Sequence, residues 1–197
     1  MGRLDRREGR RLKRRRRAGS ASPRTRGRKR EARRPRAQRP QRIAIDSATI
    51  ADASALAALD ARCFPAADRF PVRVWRHLLG PSARRGNAMT LVARGGDAIV
   101  GAINGLMRAN SAVLRIYTIA VDPAARGRGL GERLLRALAK AAPRRCVTIS
   151  LEVRADNPAR GLYEKLGMRV ASSLPRYYDD GADGVRYRAP RAAIAGS

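Results

Sequence analysis

The sequence is poor in the residues that build metal sites, disulfide frameworks and aromatic cores. It has 2 cysteines and 1 histidine in 197 residues, and only 4% of its residues are aromatic. Cys63 and Cys146 lie far apart in the chain, and a single histidine cannot form a two-histidine metal site. These shortages exclude a zinc finger, a cysteine-rich scaffold and a catalytic histidine cluster. We therefore expect no bound metal.

Long uncharged stretches are also missing. The longest, residues 98–107, is too short to span a bilayer. No apolar core typical of a secretion signal follows the basic start of the chain. We expect a cytoplasmic protein with no membrane segment, in which both thiols stay reduced.

Acidic residues are few, and the excess of positive charge is concentrated at one end. The chain has 44 Lys and Arg against 16 Asp and Glu, and residues 1–42 hold 20 of the basic ones. This segment has too few large apolar side chains to offset the entropy of ordering, so we predict a disordered tail over 1–42. Arginine runs attract polyanions by counterion release, so one interpretation of this segment is a contact with RNA, the ribosome or DNA. The alternatives are a solvated tail and an extension translated from a misassigned start.

The remaining chain has the periodicities of a globular domain. We predict one domain over 43–191 and a short flexible C-terminus over 192–197. The order of elements is a strand, two helices, three strands, a helix, a strand, a helix and two strands. The three strands that follow the two helices should form an antiparallel meander. The helix after Pro123 has one leucine-rich face. This order predicts a mixed α/β sheet.

A glycine-rich turn joins the third meander strand to this helix. Gly127, Gly129 and Gly131 alternate with other residues, and Arg126 and Arg128 add positive charge. Glycines let a backbone approach a ligand closely, and N–H groups at a helix start bind anions. A pyrophosphate fits this turn. The spacing alone leaves dinucleotide and nucleoside triphosphate sites open, but the lysine and hydroxyl that end a P-loop are absent.

The motif and its neighbours resemble the GNAT superfamily of N-acetyltransferases. Arg126-x-x-Gly129-x-Gly131 is similar to the Q/R-x-x-G-x-G/A acetyl-CoA loop of that family. Residues 151–154, Asn157 and residues 162–168 resemble its later blocks. Their order and separation are similar to the RimI-type branch, whose members acetylate protein N-termini, notably on a ribosomal protein.

This resemblance implies a GNAT fold whose central mixed sheet is splayed between two parallel strands, here within 117–121 and 148–153. It also implies acetyl-CoA as co-substrate, with no metal. The pantetheine arm would pair with backbone groups of the first strand, and the loop would hold the pyrophosphate. The residues so assigned to acetyl-CoA are Ile119, Ala120, Val121, Arg126, Gly127, Arg128, Gly129, Leu130, Gly131, Asn157 and Tyr163.

Transfer from a thioester to an amine needs a base for the ammonium and benefits from an acid for the thiolate. The resemblance assigns these roles to Glu152 and Tyr163. The alternatives are that Glu152 pairs with Arg154 or Arg169, and that Tyr163 is a core residue. One departure concerns spacing, because five residues separate Asn157 from Tyr163 where the family usually has six.

The acceptor pocket is assigned to Phe64, Tyr177 and Tyr178, with packing as the alternative for the two tyrosines. We therefore predict an enzyme that moves acetyl from acetyl-CoA directly to a primary amine, foremost a protein or peptide N-terminal amine. A small-molecule amine or a lysine is an alternative acceptor. A different class is an RNA- or ribosome-binding protein with a non-catalytic, CoA-sensing domain. The expected oligomeric state is monomer or homodimer.

Overall fold

A computed structural model describes residues 42–196, so nearly all of the predicted tail over 1–42 lies outside the described residues. The predicted order of elements is confirmed, and one further helix follows it. The strands are β1 (Ala44–Ser47), β2 (Ala88–Gly95), β3 (Ala98–Met107), β4 (Val113–Val121), β5 (Thr148–Arg154), β6 (Arg169–Leu174) and β7 (Gly184–Pro190). The helices are α1 (Ala53–Cys63), α2 (Val72–His77), α3 (Leu130–Ala141), α4 (Arg160–Lys165) and α5 (Arg191–Ala195).

The strands form one mixed sheet in the order β1-β2-β3-β4-β5-β7-β6. The predicted meander is confirmed, since β2, β3 and β4 pair antiparallel. The parallel pair is β4 with β5, and it runs from Val113 opposite Thr148 to Ile116 opposite Leu151. Beyond Ile116 the two strands separate and leave an open V. The predicted mixed α/β fold with a sheet splayed between two parallel strands is therefore confirmed.

Helices cover the two faces of the sheet unequally. On one face, Leu134, Leu135 and Leu138 of α3 are fully buried in a core that includes Ile149 and Leu151. The spacing of these leucines places them on one side of the helix, as its apolar stripe requires. On the other face, α1 and α2 cover the β2–β3 half of the sheet, around the fully buried Trp75. The β4–β5–β7 half of that second face keeps polar side chains.

The prediction of a flexible C-terminus over 192–197 is wrong for 192–195, because these residues belong to α5. Ile194 is fully buried, and its carbonyl accepts a hydrogen bond from Nη1 of Arg136 at 3.1 Å. Arg191 Nη1 donates to the carbonyl of Ala139 at 3.3 Å, so both bonds tie α5 to α3. The sequence does not predict α5, because Ile194 is the one large aliphatic residue in this alanine-rich segment and a single residue shows no periodicity.

Among residues 42–196, no helix is long and apolar enough to cross a membrane.

Candidate active site

The open V between β4 and β5 follows from a bulge in β4. Asn104 of β3 pairs with Thr118, whereas Gly105 pairs with Ile116, so Tyr117 is the extra residue. A bulge of this kind bends a strand and ends its regular pairing. It therefore turns β4 away from β5 directly after Ile116. The predicted cofactor positions Ile119, Ala120 and Val121 lie on the part of β4 that has no β5 partner.

The glycine-rich turn leads directly from this free edge into α3. Asp122 Oδ1 accepts the N–H of Ala124 at 3.0 Å and closes a short turn over Pro123–Ala125. Gly127 and Gly129 then adopt φ values of +74° and +69°, which other residues reach only with strain. A Cβ at either position would meet no protein atom within 4 Å. The backbone therefore needs glycine here, and both positions face open space.

The other members of the turn have identifiable contacts. A Cβ on Gly131 would lie 3.0 Å from Cδ2 of Leu162, so this glycine makes room for α4. Leu130 is buried in the core. Arg126 Nε donates to the carbonyl of Val121 at 3.1 Å, whereas Arg128 is exposed. The first N–H groups of α3 have no intrahelical acceptor, so the turn presents N–H donors and a positively charged side chain to the space that the glycines leave open.

A cleft of about 400 Å³ lies where β4 and β5 separate. It brings together most of the catalytic and acceptor residues that the sequence predicts, together with one predicted cofactor position on β4 and one after β5. These are Phe64, Ile119, Glu152, Asn157, Tyr163 and Tyr178. Residues 126–131 and Tyr177 do not line it. The cleft is therefore lined by the later part of β4, and the glycine turn follows that strand further along the chain.

Glu152 is held by two arginines that sequence reasoning missed. Its Oε2 accepts from Nε of Arg115 at 2.5 Å, and its Oε1 accepts from Nε of Arg186 at 2.8 Å. Its side chain is 7% exposed. The pairings considered with Arg154 and Arg169 are not the ones formed, and Arg154 instead pairs with Asp180. The alternation of side chains along β4 and β7 could have suggested which arginines share a face of the sheet. Only the register of the strands shows that Arg115 and Arg186 are the partners of Glu152.

Tyr163 on α4 is a core residue that also borders the cleft. It is 4% exposed and packs on Tyr187 with ring centroids 5.9 Å apart, yet it also lines the cleft. Burial raises the pKa of Tyr163 to about 12, with a smaller contribution from Tyr178. The phenol therefore stays protonated at neutral pH and can donate a proton or hydrogen bond into the cleft.

Asn157 ends the β5 side of the cleft and begins the turn into α4. Its Oδ1 accepts the N–H of Ala159 at 2.8 Å, an Asx turn that uses half of the carboxamide. The carboxamide NH₂ is left for a ligand. The shortened spacing between Asn157 and Tyr163 keeps both residues on the cleft wall.

Aromatic rings form the wall where the acceptor is predicted to enter. Phe70 stacks on Tyr117 with centroids 5.0 Å apart and planes 15° apart. Phe64, also predicted, lines the cleft beside them. The buried Asp60 fixes this loop, because its Oδ2 accepts from Trp75 Nε1 at 2.9 Å and from the N–H of Phe70 at 3.3 Å. Burial raises the pKa of Asp60 although both hydrogen bonds oppose the shift.

The loop between β6 and β7 supplies the opposite wall. Tyr178 lines the cleft beneath the guanidinium of Arg154, 5.1 Å from its ring centroid. Tyr177 lies outside the cleft lining, and its hydroxyl accepts from Nη2 of Arg115 at 3.2 Å. Two carboxylates of this loop bond within the protein: Asp180 pairs with Arg154, and Asp183 accepts the N–H of Arg176. These carboxylates hold the loop in place.

Within residues 42–196, no group of three or more His, Cys, Asp and Glu side chains could hold a metal ion.

The cleft fits the long, anionic co-substrate that the turn indicates. The separated strands leave a backbone edge for an extended arm, and the glycine positions leave space beside N–H donors for a pyrophosphate. Tyr163 and Glu152 lie where that edge meets the cleft.

Comparisons with known proteins agree with this geometry. The Acetyltransferase (GNAT) family model matches residues 53–168. The N-alpha-acetyltransferase RimI of Mycobacterium tuberculosis is 37% identical over 151 residues, which cover 74% of this chain and 91% of that protein. The crystal structure of the ribosomal-protein-S18-alanine N-acetyltransferase from Escherichia coli aligns with a TM-score of 0.66 and 25% identity, over 77% of this chain and 95% of that one.

A third similarity concerns the co-substrate. The structure of yncA from Salmonella typhimurium, solved with its cofactor acetyl-CoA, aligns with a TM-score of 0.65 over 77% of this chain and 95% of that one. Its identity is 20%, so this likeness concerns the fold alone. Together, the family match, the splayed sheet and the glycine turn show that the chain belongs to the GNAT family of acetyltransferases and uses acetyl-CoA as its co-substrate.

Proposed function

We propose that the protein moves an acetyl group from acetyl-CoA to the N-terminal amine of a protein or peptide. The observation that carries this proposal is the position of Glu152 and Tyr163 on one cleft, beside the free edge of β4. Relatives named for N-terminal acetylation support the choice of acceptor, including one named for alanine of ribosomal protein S18.

Acetyl-CoA supplies a thioester-activated acyl group. Backbone groups of Ile119 and Val121 would hold its extended arm, and N–H groups from Arg126 to Gly131 its pyrophosphate. The carboxamide NH₂ of Asn157 would add one hydrogen bond near the end of β5.

Glu152 would bind the incoming ammonium and take its proton. Each carboxylate oxygen accepts one hydrogen bond from an arginine, so each keeps acceptor capacity for a further donor. The two guanidinium groups fix the direction of the carboxylate and so preorganise it toward the cleft. Proton removal, directly or through one water molecule, converts the ammonium into a nucleophile.

Tyr163 would donate its proton toward the departing sulfur. Its phenol is buried on α4, and the raised pKa keeps the proton in place before reaction. No covalent intermediate with the enzyme is needed, because neither Cys63 nor Cys146 lines the cleft.

The acceptor class is tested with the full chain, acetyl-CoA and three amines at equal concentration. The first is a peptide with a free N-terminus and an internal lysine. The second is the same peptide with its N-terminus blocked, and the third amine is a small polyamine. Release of CoA with the first peptide alone supports the proposal. Release with the blocked peptide or the polyamine alone would assign the enzyme to lysine or small-amine acetylation. Binding of acetyl-CoA without turnover of any amine would favour the CoA-sensing alternative.

Three earlier expectations remain proposals. RNA or ribosome binding through 1–42 concerns residues almost entirely outside the described part. The cytoplasmic location and the monomeric or homodimeric state rest on composition and family resemblance.

A further inference from the structure

A second, larger cavity of about 720 Å³ lies on the face of the sheet that α1 and α2 leave uncovered. The end of β3 and the strands β4, β5 and β7 form most of its floor. Glu152 lines both this cavity and the cleft, so the two share a boundary at the proposed base. We call this cavity the arginine groove, after its residues Arg108, Arg115, Arg186 and Arg188.

Strand register explains why these arginines converge. Arg115 of β4 pairs with Ser150 of β5, and Ser150 pairs with Arg188 of β7. One rung along, Glu152 pairs with Arg186. Paired residues point to the same face, and alternate residues along each strand share it. The three strands therefore place three arginines, one serine and one glutamate on one open surface.

The groove has more positive charge than its own carboxylate can balance. Glu152 is the acidic residue in its lining, against four guanidinium groups. Arg115 and Arg186 both pair with Glu152, whereas Arg108 and Arg188 form no ion pair with another described residue. Guanidinium groups brought together on one surface favour an anionic ligand, and their fork geometry suits carboxylates.

Distance connects the groove to the acceptor. Arg188 of β7 lies directly opposite Ser150 on the neighbouring strand β5. Ser150 is two residues from Glu152 along β5. With strands about 4.8 Å apart and about 3.3 Å per residue, this separation is about 8 Å. An extended acceptor whose amine lies at Glu152 reaches that distance at about its third residue, at about 3.5 Å per residue.

We propose that the arginine groove binds acidic side chains just after the acceptor's first residues, so that the enzyme prefers N-termini followed by Asp or Glu. This inference rests on the proposed function, because it concerns the same acceptor. It assigns specificity to Arg108 and Arg188, which line the arginine groove but not the cleft.

Two peptides test the inference with the full chain. They share their first two residues and carry either glutamates or glutamines at the next three positions. We expect kcat/KM for the glutamate peptide to be about tenfold higher, as is typical of hydrogen bonds to charged groups. The double variant Arg108→Gln/Arg188→Gln should reduce this preference to about twofold and leave kcat/KM for the glutamine peptide unchanged.

Lys140→Gln is the matched control. It also removes positive charge, but Lys140 is exposed on α3, which packs on the opposite face of the sheet. The control should keep the full preference. The substituted side chains are exposed, so we expect each variant to keep its fold. Thermal unfolding of each variant checks this.

The outcomes separate this inference from the proposed function. No acetylation of either peptide contradicts the proposed function. Equal kcat/KM for both peptides, or a preference that survives the double variant, overturns the groove assignment alone. Absence of a preference, combined with inhibition by a short single-stranded RNA that the double variant abolishes, overturns it in favour of RNA.

Discussion

Arg115 of β4 and Glu152 of β5 meet at 2.5 Å just where the two parallel strands begin to separate. The same guanidinium donates to the hydroxyl of Tyr177, on the loop between β6 and β7. One arginine thus links the proposed base to a wall of the acceptor entrance. This ion pair offsets the negative charge of Glu152. Together with the pair to Arg186, it fixes the direction of the carboxylate before either substrate binds.

Replacing Glu152 by Gln tests its role as the base. We expect kcat/KM for a peptide to fall about a hundredfold or more, with the largest loss at low pH, where the ammonium is hardest to deprotonate. Acetyl-CoA affinity should change little, since Glu152 bonds to Arg115 and Arg186 and the glycine turn does not line the cleft that it borders. A pH-rate profile with calorimetric binding measures both effects.

Asp52→Asn is the control for this variant. Asp52 also pairs with an arginine, Arg94, but lines neither the cleft nor the arginine groove. It should leave kcat/KM unchanged. A Glu152→Gln enzyme with the wild-type rate at every pH would remove Glu152 from the mechanism.

Tyr163→Phe tests proton donation to the sulfur. We expect kcat to fall about a hundredfold. The pKa of Tyr163 is raised to about 12, above its ordinary 10.0, so the phenol keeps its proton through neutral and mildly alkaline pH. The rates of the variant and the wild type should therefore change in parallel up to about pH 10. An alkaline decline below that pH that the variant abolishes would contradict this assignment.

The same raised pKa predicts a stability difference. The folded state keeps the Tyr163 proton more tightly than the unfolded chain, so this contribution is complete below about pH 10 and is lost as pH rises toward about 12. Tyr163→Phe should lose less unfolding free energy over this interval. Urea unfolding at the two ends of the interval measures it, and equal losses would contradict the burial of an ionisable phenol.

Gly129→Val tests the glycine turn. The substitution strains a residue at φ +69° and fills the space beside the N–H donors, so acetyl-CoA should bind more than about tenfold more weakly. Gly86→Val is a matched control, because Gly86 has φ +68° and also meets no atom within 4 Å of a Cβ. Equal affinity of the two variants in calorimetry would contradict the loop assignment.

Asp60 positions the aromatic wall, and two substitutions separate its charge from its hydrogen bonds. Asp60→Ala leaves the indole N–H of Trp75 buried without its acceptor, and should cost about 1–3 kcal/mol of unfolding free energy. It should also raise KM for peptides by loosening Phe70. Asp60→Asn keeps an oxygen acceptor and should retain peptide KM.

The pH dependence of the asparagine variant follows from the raised pKa of Asp60. The folded state holds this proton more tightly, so the wild type loses stability as pH rises from about 3.8 through the folded pKa. Asp60→Asn should lack this loss. Urea unfolding from acid to neutral pH measures it, and a steeper loss in the variant would contradict the assignment.

The sequence predicts the order of elements because strong periodicities and turn residues mark them. It also identifies the glycine turn, whose two positive φ values only glycine adopts easily. It does not predict that Arg115 and Arg186 hold Glu152, because those contacts depend on strand register and on the bulge at Tyr117. It also misses the use of Asn157 Oδ1 in a turn, and it misses α5, whose single buried isoleucine is too brief a pattern.

The most direct test of the central claim locates the acetyl group on one product. The full chain is incubated with acetyl-CoA and a peptide that has a free N-terminus and one internal lysine, and the product is fragmented in a mass spectrometer. We predict acetyl on the N-terminal amine alone, with one CoA released per peptide modified. Acetyl on the lysine alone, or a peptide left unmodified while acetyl-CoA binds, would contradict the account.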